Sequence, residues 1–266
     1  MLDTETLQSI LDQAVEIVES ATQIIHEKMQ AGFSYQMKAD NSPVTEIDTA
    51  VERYIRGELE RRFPDHGILG EEYGGKAGGS DYRWTVDPID GTISLRHGIP
   101  LFGTILGLWY DEAPILGVIS LPMLSQVCYG AKGLGTYLNG KRVQLTNVSA
   151  DGVLDQVIAT GDRRQFVAAG KPQLFDRLFT LHPCVRTYPD VSGHMFALQG
   201  AAGAMVDFDL RPWDAGATKV LIEEAGGRYE LVNIRSAGGE PRYDVIFGKP
   251  RVVEWVIREM KRAGVL

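Results

Sequence analysis

The amino-acid sequence predicts an α/β protein in two consecutive parts, and three observations carry that prediction. Two N-terminal stretches repeat apolar residues every three or four positions, the spacing of a helix that buries one face. From residue 67 to about 145 the pattern turns into short apolar runs bounded by Gly, Pro and Asn, as consecutive strands require. Beyond about residue 148, strand-like and helix-like stretches alternate, the rhythm of a layered α/β unit. The division is expected between 1–147, an α+β part, and 148–266, an α/β part. At 266 residues, 44% of them apolar, the chain is long enough to give both parts a core.

The first helix is predicted over 4–30, with Leu7, Leu11, Ala14, Val18, Ala21, Ile25 and Met29 on its buried stripe. The second carries Ile47, Val51, Tyr54, Ile55, Leu59 and Phe63 and is stopped by Pro64. Between them lies the polar connector Lys38-Ala39-Asp40-Asn41-Ser42-Pro43. Strands are predicted at 84–87, 104–110, 115–121 and 127–130, then a hairpin over 136–143 on the Asn139-Gly140 turn. Two helices followed by consecutive strands imply an antiparallel sheet. The glycine-rich stretch 74–79 reads as a mobile loop, because it lacks the Gly-Lys-Ser/Thr ending of a phosphate loop. The second part is predicted to hold strands at 157–160, 204–208, 228–232 and 244–247, with helices at 172–181, 192–202, 214–225 and 251–262.

Composition removes several function classes. Lys and Arg number 27 against 35 Asp and Glu, a net charge of −8, so no net basic field favours nucleic acid. Two cysteines, Cys128 and Cys184, are too few for a disulfide framework or a zinc site and are expected as free thiols. The five histidines are dispersed, with no pair at metal-ligand spacing, although His97 lies close behind the Asp-rich motif described next. No basic stretch followed by an apolar one opens the chain, and no apolar run approaches the ~18 residues of a membrane span. A cytoplasmic protein without a membrane partner is expected.

Four acidic clusters sit at the ends of elements. They are Asp48 on the first turn of the second helix, Glu71-Glu72 after Ile68-Leu69, Asp87-Pro88-Ile89-Asp90-Gly91-Thr92 after a strand, and Asp214 after Arg211-Pro212-Trp213. Carboxylates paired at a strand end repel unless a cation lies between them, and hard oxygen donors suit Mg²⁺. Pro88 is read as forcing a tight turn that brings Asp87, Asp90 and the Ile89 carbonyl to one point. Gly91 allows close backbone approach, and its amide with that of Thr92 would face a phosphate. Each acid taken singly also fits a turn or a helix cap. A rival reading, the Asp-x-Asp-Gly-Thr motif whose first Asp becomes phosphorylated, places its acids two apart; here they are three apart and lie mid-chain.

Together these pieces, with Lys38 to Asp48, Gly70-Glu71-Glu72, Trp84 to Thr92, and Pro212-Trp213-Asp214-Ala215-Gly216-Ala217, resemble the inositol monophosphatase family of metal-dependent phosphatases. The resemblance spans nearly the whole chain and implies a layered α-β-α-β-α sandwich. It implies a first Mg²⁺ on Glu71, Asp87 and the Ile89 carbonyl, a second on Asp87, Asp90 and Asp214, and a third, weaker ion near Glu71. By the same resemblance Asp48, Thr92 and Glu71 are catalytic, Asp48 and Thr92 orienting and deprotonating a water that attacks directly. Gly91 and Thr92 would bind phosphate, and Lys38 lies at a position near the metals.

For the substrate side, the resemblance points to Asp207, seven residues before Asp214, with Asp209 as a neighbour. Asp190 suits the branch that acts on histidinol phosphate, and Arg211 would reach the site or a subunit partner. The implied activity is hydrolysis of a small polyol or amino-alcohol phosphate, inositol monophosphate or histidinol phosphate, by a lithium-sensitive homodimer. Two alternatives stand beside it: a broad-range sugar or bisphosphate phosphatase of the same family, and a non-catalytic interaction protein that retains the fold.

Overall fold

Asp3 starts the first helix by accepting the Thr6 amide at 2.8 Å, and six of the seven stripe residues read from the sequence are buried along it; Met29 packs at its edge. The computed structural model describes residues 2–38 and 42–266, so Ala39, Asp40 and Asn41 of the polar connector lie outside the described residues. In chain order the first part contains α1 (Thr4–Ala31), β1 (Tyr35–Met37), β2 (Pro43–Thr45), α2 (Glu46–Arg62), β3 (Gly67–Gly70), β4 (Gly74–Lys76) and β5 (Tyr82–Asp90). It continues through α3 (Thr92–Arg96), β6 (Gly103–Tyr110), β7 (Ala113–Leu121), β8 (Gln126–Ala131), β9 (Gly135–Leu138) and β10 (Lys141–Arg142). The second part contains β11 (Val157–Thr160), α4 (Arg163–Ala168), α5 (Pro172–Leu181), β12 (Val185–Thr187) and α6 (Asp190–Leu198). It ends with β13 (Ala202–Leu210), α7 (Pro212–Glu224), β14 (Arg228–Ala237), β15 (Glu240–Gly248) and α8 (Pro250–Arg262).

Strands β3 to β10 form one eight-stranded sheet, ordered β10-β9-β8-β7-β6-β5-β3-β4, and a five-stranded sheet follows the order β12-β11-β13-β15-β14. Helices α1 and α2 cover the outer face of the first sheet through Ile17, Val18, Ile55 and Leu59. Helices α6 and α7 lie between the sheets, where Ile105 and Ile119 of one meet Val191, Leu221 and Phe247. Helices α4, α5 and α8 close the far side with Phe166, Leu178 and Val256. The result is the five-layer α-β-α-β-α sandwich. Ala217 of α7 rests on Gly117 of β7, where a Cβ would come 2.7 Å from the Ala217 carbonyl, so helix and sheet meet at backbone range.

Several elements differ from their sequence readings. Gly74–Lys76 is not loop but edge strand β4, paired with β3, and Gly79 and Ser80 donate their amides to the Asp65 carbonyl at 2.9 and 3.1 Å. Composition suggests a loop, yet the open edge of β3 supplies ladder partners that composition cannot register. The first sheet is not wholly antiparallel. The β3–β4 hairpin returns the chain beside β3, so β5 runs parallel to it. Pro88 makes no tight turn: β5 continues through it to Asp90 as a bulge, Asp87 pairing with Ile105 and Asp90 with Gly103. The helix expected at 192–202 spans Asp190–Leu198. Strands β1, β2 and β12 and helix α4 hold three to six residues each, too short to show a period. Both cysteines are free, and among the described residues no helix is long and apolar enough to cross a membrane.

Candidate active site

The cleft begins at the N-terminus of α2. Thr45 caps that helix in a capping box with Asp48, whose Oδ2 accepts the Thr45 amide at 2.9 Å and also the Thr45 hydroxyl. Asp48 Oδ1 accepts the Thr92 hydroxyl at 2.9 Å, and Thr92 Oγ1 also lies 3.1 Å from the Ile89 carbonyl. Burial raises the Asp48 pKa, and the bonds from Thr45 and Thr92 oppose that rise. Asp48 and Thr92, from distant segments, are thus joined directly.

One turn further along α2, Glu52 is fully buried and accepts the amides of Glu72 at 2.7 Å and Tyr73 at 3.1 Å. Arg56 lies 3.3 Å from it and donates to the Gly74 carbonyl at 2.9 Å. Gly70 leaves the room for this, since a Cβ there would stand 2.0 Å from Glu52 Oε1. Glu52 therefore fixes the turn that presents Glu71 and Glu72. The Lys38 ammonium sits on both, 3.0 Å from Glu71 Oε1 and 2.7 Å from Glu72 Oε1. Burial pushes Glu72 up to about 7 even with Lys38 beside it. Sequence reasoning missed Glu52, although a signal existed: it falls on the apolar stripe of α2 between Val51 and Ile55.

The bulge at Pro88–Ile89 aims Asp87 into the protein. Its carboxylate is buried, and Asp87 Oδ1 is the one buried side-chain polar atom among the described residues with no hydrogen-bond partner. Burial first, and then the charges of Glu71, Asp90 and Asp214, hold its pKa well above the usual carboxylate range. Asp90 is raised likewise, by burial and then by Asp190 and Asp214. Asp214 lies in the first turn of α7 and accepts the Arg211 amide at 2.8 Å; burial raises it to about 6 against that bond. The Arg211 guanidinium is 3.1 Å from Glu240 and packs over Trp213. Glu71 and Asp214 thus lie close enough to the end of β5 for their charges to raise Asp87 and Asp90. Among the described residues, no three acidic, His or Cys side chains close into a ready-made metal cluster.

Asp190, the first residue of α6, adopts a left-handed φ of +60° and stands beside Gly91, where a Cβ would lie 3.3 Å from its Oδ2. Burial, then the neighbouring Asp207, pushes it up to about 7. Asp207 points inward: it is fully buried, its Oδ2 lies 3.1 Å from His194 Nε2, and its Oδ1 accepts the Phe208 amide at 3.0 Å. Asp209 sits on a second bulge, at the end of β13, and pairs with Arg235 at 2.9 Å. His97 is exposed at the end of α3.

The donor set at the end of β5 is entirely oxygen, anionic, and includes an unpartnered buried oxygen, which fits a hard divalent cation. The Asp48–Thr92 pair adjoins this segment through the Ile89 carbonyl. This arrangement suits hydrolysis of a phosphate ester.

The inositol monophosphatase family model matches residues 6–256. A histidinol-phosphatase of Chlorobaculum parvum is 34% identical over 218 residues, covering 82% of this chain and 83% of the relative. A fructose-1,6-bisphosphatase/inositol-1-monophosphatase of Aquifex aeolicus is 32% identical over 228 residues, covering 85% and 84%. Among solved structures, an inositol monophosphatase from Anabaena (Nostoc) superposes with a TM-score of 0.79 at 25% identity, over 97% of each chain.

Proposed function

Because the chain belongs to the inositol monophosphatase family and is a phosphoric monoester hydrolase, we propose that it is a Mg²⁺-dependent phosphatase of a small polyol or amino-alcohol phosphate. The observation that carries this reading is Asp87, a buried carboxylate with an unpartnered oxygen among three further acids. Glu71, Asp87, the Ile89 carbonyl, Asp90 and Asp214 are the residues that would hold two to three ions. Mg²⁺ there would neutralise the phosphate, acidify a water and stabilise the leaving alkoxide.

The chain's own residues supply the rest. With its proton directed to Asp48, the Thr92 hydroxyl keeps a lone pair to orient a water, and Asp48 is the acceptor to which a proton passes through Thr92. Burial raises the proton affinity of Asp48, which suits a base. Hydrolysis is then a single direct displacement with no phosphoenzyme. Backbone amides at Gly91 and Thr92 orient the phosphate. Asp190, beside Gly91, faces the alcohol portion, where a carboxylate recognises hydroxyl groups or an ammonium. Histidinol phosphate and inositol monophosphate both offer such groups.

The test is phosphate release with Mg²⁺ from histidinol phosphate, inositol 1-phosphate, glycerol 2-phosphate, fructose bisphosphate and adenosine bisphosphate. A preference of about two orders of magnitude for one of the first two supports the reading. Asp90→Asn is expected to lower the rate on the order of a hundredfold to a thousandfold. Full activity in that variant, or a trappable phosphoprotein, would sink the assignment.

A further inference from the structure

One turn behind the cleft lies a buried chain of hydrogen bonds that the reaction described above does not use. Asp190 opens α6 and His194 stands four residues on; Asp214 lies in the first turn of α7 and Thr218 stands four residues on. Each cleft acid therefore shares a helix face with a buried polar partner. His194 joins the two helices to β13. Its Nδ1 is 2.7 Å from Thr218 Oγ1, and its Nε2 is 3.1 Å from Asp207 Oδ2. An ionised carboxylate only accepts, so Nε2 carries a proton and donates to Asp207, while Nδ1 shares the second hydrogen bond with the Thr218 hydroxyl.

The surroundings are shaped for this inward arrangement. Gly161 makes way for Asp207, since a Cβ there would come 2.2 Å from Asp207 Oδ1. The imidazole meets the Phe247 ring nearly edge-on, at 5.0 Å between centroids and 78° between planes. Turning Asp207 toward a substrate would strip the buried His194 and Phe208 donors of their acceptor, and a buried donor left without one is costly.

We propose that Asp207 and His194 are positioning residues: the Thr218–His194–Asp207 chain sets the separation of Asp190 from Asp214, and Asp207 touches no substrate. This rests on the proposed phosphatase reading and leaves recognition of hydroxyl or ammonium groups to Asp190. It reverses the expectation that the family resemblance attached to Asp207.

Asp207→Asn, His194→Phe and the double variant separate the two roles. With Mg²⁺ and histidinol phosphate, inositol 1-phosphate or phenyl phosphate, each single variant is expected to lower kcat about tenfold for all three substrates. The ratio of KM values between substrates stays within about threefold, and the double variant is no worse than the poorer single one, as coupled residues require. Asp190→Asn, in contrast, raises KM for the first two substrates and spares phenyl phosphate, which lacks hydroxyl and amine groups. The proposal is overturned if Asp207→Asn alone shows that selective rise while His194→Phe does not.

Urea unfolding of the same set without metal gives a readout independent of activity. The 207–194 coupling should alter the unfolding equilibrium tenfold or more, and strict additivity would show that no such pair exists. If His194→Phe does not fold, Thr218→Val cuts only the outer bond and should lower kcat with unchanged KM ratios; a changed ratio counts against the proposal. If the wild-type protein releases phosphate from none of the substrates, the function reading falls, and the unfolding cycle still judges the pair.

Discussion

Two groups of acids lie in and just behind one cleft and differ in what surrounds their oxygens. Asp48, Glu52 and Asp207 are held by donors of the chain itself, from Thr45 and Thr92, from the Glu72 and Tyr73 amides, and from His194 and Phe208. Asp87 and Asp90 instead face other carboxylates, and one Asp87 oxygen has no donor at all. A buried acid that is fully bonded anchors its neighbours, whereas one left among like charges destabilises the fold unless a cation joins it. All five are carboxylates, and Asp87 is as deeply buried as Asp48, Glu52 and Asp207; the partners assign the task.

Exchanging a member of either group should expose the contrast. The largest effect is expected at Asp87→Asn, which should lower kcat/KM by on the order of a thousandfold. The same variant should raise the urea midpoint of the metal-free protein, because an acid that burial and like charges make costly to ionise is replaced by a neutral amide. Lost stability together with retained activity would place Asp87 among the anchors. Glu52→Ala should do the opposite, destabilising the protein by about 2–4 kcal/mol because two amides and Arg56 lose their partner. Its activity per folded molecule should fall less than tenfold, measured against folded protein by circular dichroism.

The smallest effect, counted per group and per pH unit, is in pH. Asp190 at about 7 and Asp214 at about 6 lie above their unfolded value of 3.8, as do Asp87 and Asp90, so the native state binds more protons than the unfolded one. Their stabilising contribution is complete below about pH 4 and is lost as pH rises through 6 and 7. Metal-free protein should therefore lose stability between pH 5 and pH 8 by about 1 kcal/mol per unit for each proton retained. Thermal unfolding with and without Mg²⁺ checks this: the slope should flatten with the ion, and a slope of opposite sign would overturn it, because burial raises the bonded acids Asp48, Glu52 and Asp207 as well.

What the sequence reveals of this site follows the same division. Asp87, Asp90, Gly91 and Thr92 are legible because they occupy one short segment after an apolar strand, and their chemistry makes little sense as a solvated surface. The apolar periodicities of α1 and α2 show for a related reason, since burial of one face is written at fixed spacing. Glu52, His194 and Thr218 are different. Each depends on a partner brought in by tertiary structure, and a lone polar residue in a helix carries no mark of what it will meet. Glu52 could have been suspected from its place on an apolar stripe; nothing in the spacing of His194 pointed to Asp207. The Pro88 bulge and strand β4 escaped because their register is decided by neighbouring strands.

Helix α7 ties chemistry to the order of assembly. Asp214 reaches the end of β5 only when that helix is seated between both sheets, with Ala217 against Gly117. Contacts between segments so far apart along the chain close late in folding. A chain with one finished sheet would carry Asp87 and Asp90 without Asp214, and so avoids gathering the full negative charge until the rest of the scaffold can bear it. Activity would then return as a late event in refolding, and neither half of the polypeptide would work alone.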